Sequence, residues 1–493
     1  MAMAGFLDRP LPPALEEYDD ALHEWLPLLV SAAQDTRQLH RVLTHKVGLS
    51  KLGPRQLAVN LIVQLAERRA PLVRRHGSLL NSRPASRDSR RHAAAQPALE
   101  RLPQWQSLPR VDCSTACGVA SAIDRVRRGL PVLLSNASLR RDPRWDIDFL
   151  HAELGARQCS VLSCPAASRV FTVFRSGSQH GAYEANGDVR VEEMAFHQFV
   201  RCLREQEAGH FEGGRMRYLQ THLMERLYAE SGESCVAPRQ LPEGVVRRVL
   251  TDASLHPPWL QQLRREGGLG EWCLSTLWIS PGDACSRCHI DLHNNLLLQL
   301  EGRKRVVLLD PLEARHLYLH PISHPLDMRP RVCIKSPDLE QFPRFAEARG
   351  FETFLEAGEC LFIPRMWFHE VDSLTTSASL NFWFESTWPS IVSDLPPSMD
   401  VMLQLARDTE LALVDTLGAC HIASFLQFAL TADEESSGAD ECKYPARWTY
   451  LREELFEILL GWLGARERVE GFLFDFLHPH RFIGLHLKTA AKS

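Results

Sequence analysis

His289-Ile290-Asp291-Leu292-His293-Asn294-Asn295-Leu296-Leu297-Leu298-Gln299-Leu300-Glu301-Gly302-Arg303-Lys304-Arg305 is the most informative stretch of the 493-residue chain. On a strand, residues i and i+2 face the same side, so His289 and Asp291 point together. Alone this carries little: with 21 histidines, roughly one His-x-Asp triplet is expected by chance, and two polar residues at a strand end explain it as well. His293 falls on the same face, either at a substrate mouth or on a rim without a role.

Three neighbouring features add to it. Glu301-Gly302-Arg303 separates two apolar runs as a short hairpin turn should and carries Lys304 toward the same cavity. A buried lysine needs an anion, although lysines commonly snorkel to the surface. Second, Leu355-Glu356-Ala357-Gly358-Glu359-Cys360-Leu361-Phe362-Ile363-Pro364-Arg365-Met366-Trp367-Phe368-His369-Glu370-Val371 delivers a distant histidine. Gly358 would open a strand and Pro364 would end it, with Trp367 and His369 sharing a face after it. A lone histidine on an apolar segment is more often a hydrogen-bonded core residue. Third, Ser379-Leu380-Asn381-Phe382-Trp383-Phe384 reads as a strand with Asn381 and Trp383 on one face. Two histidines and one carboxylate suit Fe(II) and leave open positions, two for a chelating oxo-acid and one for dioxygen.

Outward from this centre, residues 108–390 alternate short apolar runs with turns: Pro131–Leu134, Val170–Phe174, Leu296–Leu298, Val306–Leu309 and Cys360–Ile363. These favour strands. Residues 1–76 read as a helical N-terminal region, with Leu15, Leu22, Trp25, Leu26, Leu29 and Val30 largely at helical spacing and a second run from Leu57 to Leu65. Residues 77–107, with Ser78, Pro84 and Ser86 among Arg83, Arg87, Arg90 and Arg91, read as a basic flexible linker. Residues 391–493 return to helical spacing, around Leu403–Val414, Leu451–Trp462 and Phe472–Leu477, with an acidic loop over 431–440.

The order His-x-Asp, Asn, Lys, Gly-Glu-x-Leu-Phe-Ile-Pro-x-x-Trp-x-His, Asn-Phe-Trp resembles the JmjC family of Fe(II)/2-oxoglutarate oxygenases over about residues 108–390. Within it the chain resembles hydroxylase-type members, the asparaginyl hydroxylase acting on hypoxia-inducible factor and the tRNA wybutosine hydroxylase. Gly129-Leu130-Pro131-Val132, Trp145–Leu150 and Arg217-Tyr218-Leu219-Gln220 add to the likeness. The resemblance implies a mainly β catalytic core, a double-stranded β-helix or jelly roll, flanked by N- and C-terminal α-helical regions. It implies iron ligands at His289, Asp291 and His369, and Lys304 on the distal carboxylate of 2-oxoglutarate. Tyr218 and Ser286 match hydrogen-bonding helpers, with Ser where the asparaginyl hydroxylase has Thr, and Asn295 and Asn381 match inward polar residues beside them. Dioxygen is the implied oxidant.

Composition excludes little. Hydrophobic residues make 45% and charged residues 24%, and the net charge of −5 demands no nucleic acid. No apolar run approaches the roughly 18 residues of a membrane span. Met1–Asp8 lacks a basic-then-apolar leader, and Glu16, Glu17, Asp19 and Asp20 argue against a transit peptide. Thirteen scattered cysteines suggest a reducing compartment, cytoplasm or nucleus. Cys285-Ser286-Arg287-Cys288-His289 formally fits a haem-attachment pattern, but the expectation is two small buried cysteines or a redox-sensitive pair. The sequence therefore points first to a protein side-chain hydroxylase. A tRNA-base hydroxylase is the alternative, helped by Ser336–Leu339, Phe342-Pro343 and the Arg-rich linker. Histone lysine demethylation ranks lower without a reader domain, and a non-catalytic binding module is disfavoured by the complete residue set. The C-terminal helices read either as a homodimer interface or as intramolecular core.

Overall fold

The structure, a computed structural model, describes residues 103–136, 145–172, 188–228, 234–238, 258–385, 398–431 and 446–485. The helical reading of residues 1–76, the linker up to residue 102 and the acidic stretch 432–440 lie outside the described residues. Early strands are β1 (Trp105–Ser107), β2 (Arg110–Asp112), β3 (Val132–Ser135), β4 (Gln158–Pro165), β5 (Arg190–Ala195), β6 (Arg215–Tyr228) and β7 (Ser234–Pro238). The later ones are β8 (Glu271–Ser280), β9 (Cys285–Ile290), β10 (Asn294–Glu301), β11 (Arg303–Leu309), β12 (Gly350–Glu356), β13 (Cys360–Ile363), β14 (Phe368–Ser373) and β15 (Ser377–Glu385).

Among the described residues these strands form two sheets. The smaller has the order β1-β12-β11-β14-β9; the larger runs β2-β3-β13-β10-β15-β8-β6-β4-β5, with β7 paired to β6. From β8 to β15 the chain passes back and forth between the sheets, and every pairing within that set is antiparallel. This is the expected jelly roll. β1 adds to the smaller sheet in parallel with β12, Trp105 standing opposite Gly350, so the last residues of the segment read as linker belong to the β core.

Helices cover both outer faces, which explains why central strands are apolar on two sides. On β11, Val306 and Leu308 pack into the space between the sheets. Val307 and Leu309 pack outward against the C-terminal helices Met399–Leu417, Ile422–Thr431, Ala446–Leu463 and Arg466–Phe476. Leu403, Leu413, Leu455, Leu459 and Phe472 are buried in that same cluster, so these leucines make intramolecular core. Helices Ala116–Arg127, Ile147–Leu154, Phe196–Glu207 and Pro258–Gly267 cover the larger sheet, packing on Leu296, Leu380, Phe382 and Phe384.

Two local expectations differ from the structure. Val170–Phe174 does not form a strand where it is described; Val170 makes a single bridge to Cys285, and Val173 and Phe174 lie outside the described residues. Glu301-Gly302-Arg303 is a tight turn but not a hairpin, because β10 and β11 belong to opposite sheets. β10 has both edges filled, by β13 and β15, so the chain must leave its sheet. Gly302 makes the crossing at φ 74°, where an added Cβ would sit 2.0 Å from the Thr376 carbonyl oxygen. The turn is anchored by Glu301, whose carboxylate accepts from the Ile147 amide at 2.8 Å. Gly302→Ala should therefore destabilise the protein by about 1–3 kcal/mol, read from its urea midpoint. An unchanged midpoint would mean that the turn tolerates a side chain there.

Candidate metal centre and cosubstrate cavity

Strand β9 meets β14 so that His289 stands opposite His369. Two residues further along β14, Val371 pairs not with Arg287 but with Ser286. β9 thus carries one extra residue, a β-bulge at Arg287–Cys288. Strict alternation would put Ser286 and His289, three apart, on opposite faces; the bulge brings both to the inner one. Asp291 lies one residue beyond the end of β9, its carbonyl oxygen held by the Met366 amide at 2.8 Å.

The three side chains converge. His289 Nε2 is 3.8 Å from Asp291 Oδ1, His369 Nε2 is 3.6 Å from Asp291 Oδ2, and one donor atom from each residue falls within 4.8 Å of the others. Each imidazole is oriented from behind: His289 Nδ1 lies 2.9 Å from the Arg287 carbonyl and His369 Nδ1 3.0 Å from that of Trp367. With Nδ1–H donated to a carbonyl, Nε2 presents its lone pair inward, the arrangement that metal-binding histidines use. Burial, then the neighbouring His369 and Arg329, push His289 down to about 3, so it stays neutral at physiological pH. Burial alone would raise Asp291; the two histidines and hydrogen bonds from Trp383 and Asn295 outweigh it and hold the carboxyl below its ordinary range. Trp383 Nε1 donates to Oδ2 at 3.1 Å and Asn295 Nδ2 at 3.3 Å, while Asn381 Nδ2 donates to Asn295 Oδ1 at 2.8 Å and fixes its amide. Two imidazoles with Nε2 turned inward and a hydrogen-bonded carboxylate fit a divalent cation.

Deeper in the same cavity lies Lys304, 3% exposed. Its ammonium donates to Ser379 Oγ at 2.8 Å. Burial pushes its pKa down to about 7, since a hydroxyl does not replace lost hydration or a counter-anion. Tyr218, on β6, is hydrogen-bonded to Ser286 and packs on Phe171 and Trp278; burial pushes its phenol well up, keeping it a neutral donor. All eight residues singled out in the sequence, His289, Asp291, His369, Lys304, Tyr218, Ser286, Asn295 and Asn381, line this one cavity. His293 does not: its segment has left the strand, so alternation no longer governs where it points. Ser379 and Trp278 are additions to the expected set. Ser379 had a readable signal, since it lies two residues before Asn381 on the same face of β15.

A family model described as a cupin-like domain matches residues 126–388. The chain belongs to this cupin-like JmjC family. Over 125 residues it is 37% identical to lysine-specific demethylase JMJ31 of Arabidopsis thaliana, covering 25% of this chain and 22% of that protein. Over 97 residues it is 45% identical to tRNA wybutosine-synthesizing protein 5 of Gallus gallus, covering 19% and 29%. Over 116 residues it is 39% identical to HSPB1-associated protein 1 of Rattus norvegicus, covering 22% and 24%. The matches thus span less than a third of each relative's length. Among the described residues no helix is long and apolar enough to cross a membrane.

Trp383→Phe keeps the ring but removes the hydrogen bond to Asp291. It should weaken divalent-metal binding at this site by about 10-fold or more, measured by anaerobic metal titration, with the melting temperature nearly unchanged. Undiminished affinity would mean that Asp291 is oriented by other contacts.

Proposed function

We propose that the chain is an Fe(II)- and 2-oxoglutarate-dependent dioxygenase that hydroxylates a protein side chain. The observation that carries this reading is the shared cavity: a two-histidine, one-carboxylate donor set and a buried lysine whose ammonium donates to a hydroxyl face the same space. His289, Asp291 and His369 would hold the iron. When bound, it supplies activation of dioxygen coupled to oxidative decarboxylation of 2-oxoglutarate to succinate and carbon dioxide.

The chain's own residues do the rest. Lys304 provides the charge for the distal carboxylate, and Ser379 keeps the ammonium pointed inward. Tyr218 and Ser286 offer hydroxyl donors to the same group, as in the resemblance to the asparaginyl hydroxylase. Asn381, through Asn295, and Trp383 hold the Asp291 carboxylate in place. Leu297, Ile363 and Val371 contribute apolar lining that limits water around the reacting groups.

A protein substrate is supported by the Tyr218, Ser286 and Lys304 set and by the relative named as a lysine-specific demethylase. A tRNA-base substrate is the second reading, supported by the 45% identity to the wybutosine-synthesizing protein.

Succinate release from 2-oxoglutarate by purified protein tests the activity. It should require Fe(II), rise with a peptide fraction and fall to background in His289→Ala. Stimulation by tRNA alone would favour the second reading, and wild-type turnover by His289→Ala would remove the ligand assignment. Lys304 adds a pH signature. An anion at this site requires the protonated amine, which the free protein loses as pH rises through about 7. The KM for 2-oxoglutarate should be flat below that pH and rise about tenfold per unit above it. Lys304→Met should bind 2-oxoglutarate weakly and without this pH dependence. A pH-independent wild-type KM would assign the carboxylate to another cation.

A further inference from the structure

The same two strands that carry His289 and His369 present a different set of side chains on their outer face. Because β14 alternates, Glu370 and Asp372 point away from His369 and Val371, and the β9 bulge turns Cys285 and Cys288 the same way. Cys285, Glu370 and Asp372 are 5%, 3% and 5% exposed, and one donor atom of each lies within 4.8 Å of the others. They border a pocket of about 710 Å³ that does not include the residues of the inner cavity.

Their surroundings are unequal. Asp372 has charged partners on both oxygens: Arg305 Nη1 donates to Oδ2 at 3.0 Å, the Cys285 thiol is hydrogen-bonded to the carboxylate, and the Lys335 ammonium lies 2.6 Å from Oδ1 as an ion pair, without hydrogen-bond geometry. Glu370 does not. Its Oε2 accepts from the Cys288 amide at 3.3 Å, but Oε1 is buried and accepts no hydrogen bond among the described residues. A buried carboxylate oxygen left in this way keeps its full desolvation cost, so the side chain is set up for a cationic partner in the pocket it borders.

We propose that Cys285, Glu370 and Asp372 form a second divalent-metal site, suited to zinc, on the outer face of the β9–β14 pair. One thiolate and two carboxylates satisfy a borderline cation better than a hard one. Three protein ligands leave a coordination position open toward the pocket. Arg305 holds the far oxygen of Asp372 and so orients it. Lys335, whose side chain is 46% exposed, occupies the near oxygen and has room to swing outward when a metal takes its place. Binding displaces the Cys285 proton to solvent.

Cobalt(II) is the probe, because a thiolate ligand gives it a near-ultraviolet charge-transfer band that the sulfur-free inner site cannot produce. Titrated into the full chain, it should develop this band and saturate by about two equivalents, when the inner and outer sites are both filled. Cys285→Ser should abolish the band, and Cys288→Ser should keep it. Glu370→Gln should weaken binding about tenfold or more, and Lys335→Gln should strengthen it by a similar factor by removing the competing ammonium. Absence of the band in wild type, its survival in Cys285→Ser, or weaker binding by Lys335→Gln would each overturn the proposal. None of these readouts depends on turnover of 2-oxoglutarate, so they stand apart from the outcome for the inner site.

Discussion

The pairing of β9 with β14 sets the register on which the centre of this molecule depends. Opposed histidines from two strands distant in sequence can converge only if the ladder places them side by side, and His289 against His369 does so. The one-residue bulge then adds Ser286 to the inner face without moving His289 off it. A slip of one residue would exchange the inner and outer sets, trading His369 and Val371 for Glu370 and Asp372. The helices packed on the outer face oppose such a slip, because Phe368 and Ile290 are buried against them.

Charge is distributed inside this frame according to what can compensate it. Asp291 is half-buried, and the two histidines and two N–H donors around it hold its carboxyl below the ordinary range. Lys304 is more deeply buried and has a hydroxyl as its hydrogen-bond partner, and its proton is correspondingly loose. The contrast separates the two halves of the cavity. One offers a ligand set that fits a cation; the other gains most when an anion arrives. Such inward, partly compensated charges are costly in a structural core and understandable in a binding site.

Much of this was legible in the sequence because it is local. Cys360–Ile363 is a strand to the residue, since Gly358 and Pro364 punctuate it, and the alternation of Asn381 and Trp383 against Phe382 and Phe384 holds. Tyr218 and Ser286 were reachable through family resemblance rather than through pattern. What escaped depends on long-range pairing. The turn at Gly302 looks like a hairpin locally, and only the filled edges of β10 show that the chain must change sheets. The bulge at Arg287–Cys288 has no glycine to announce it. The outer placement of Glu370 and Asp372 follows from the alternation that placed His369, but joining Cys285 to them requires the ladder.

The most direct test of the central claim, that one cavity holds both metal and cosubstrate in contact, is anaerobic spectroscopy. Adding 2-oxoglutarate to the Fe(II)-loaded protein should produce a visible charge-transfer band, which forms only when the oxo-acid chelates the iron; Asp291→Ala should not show it. If both bind stoichiometrically and no band appears, metal and cosubstrate occupy separate sites and the shared cavity is not the reaction centre.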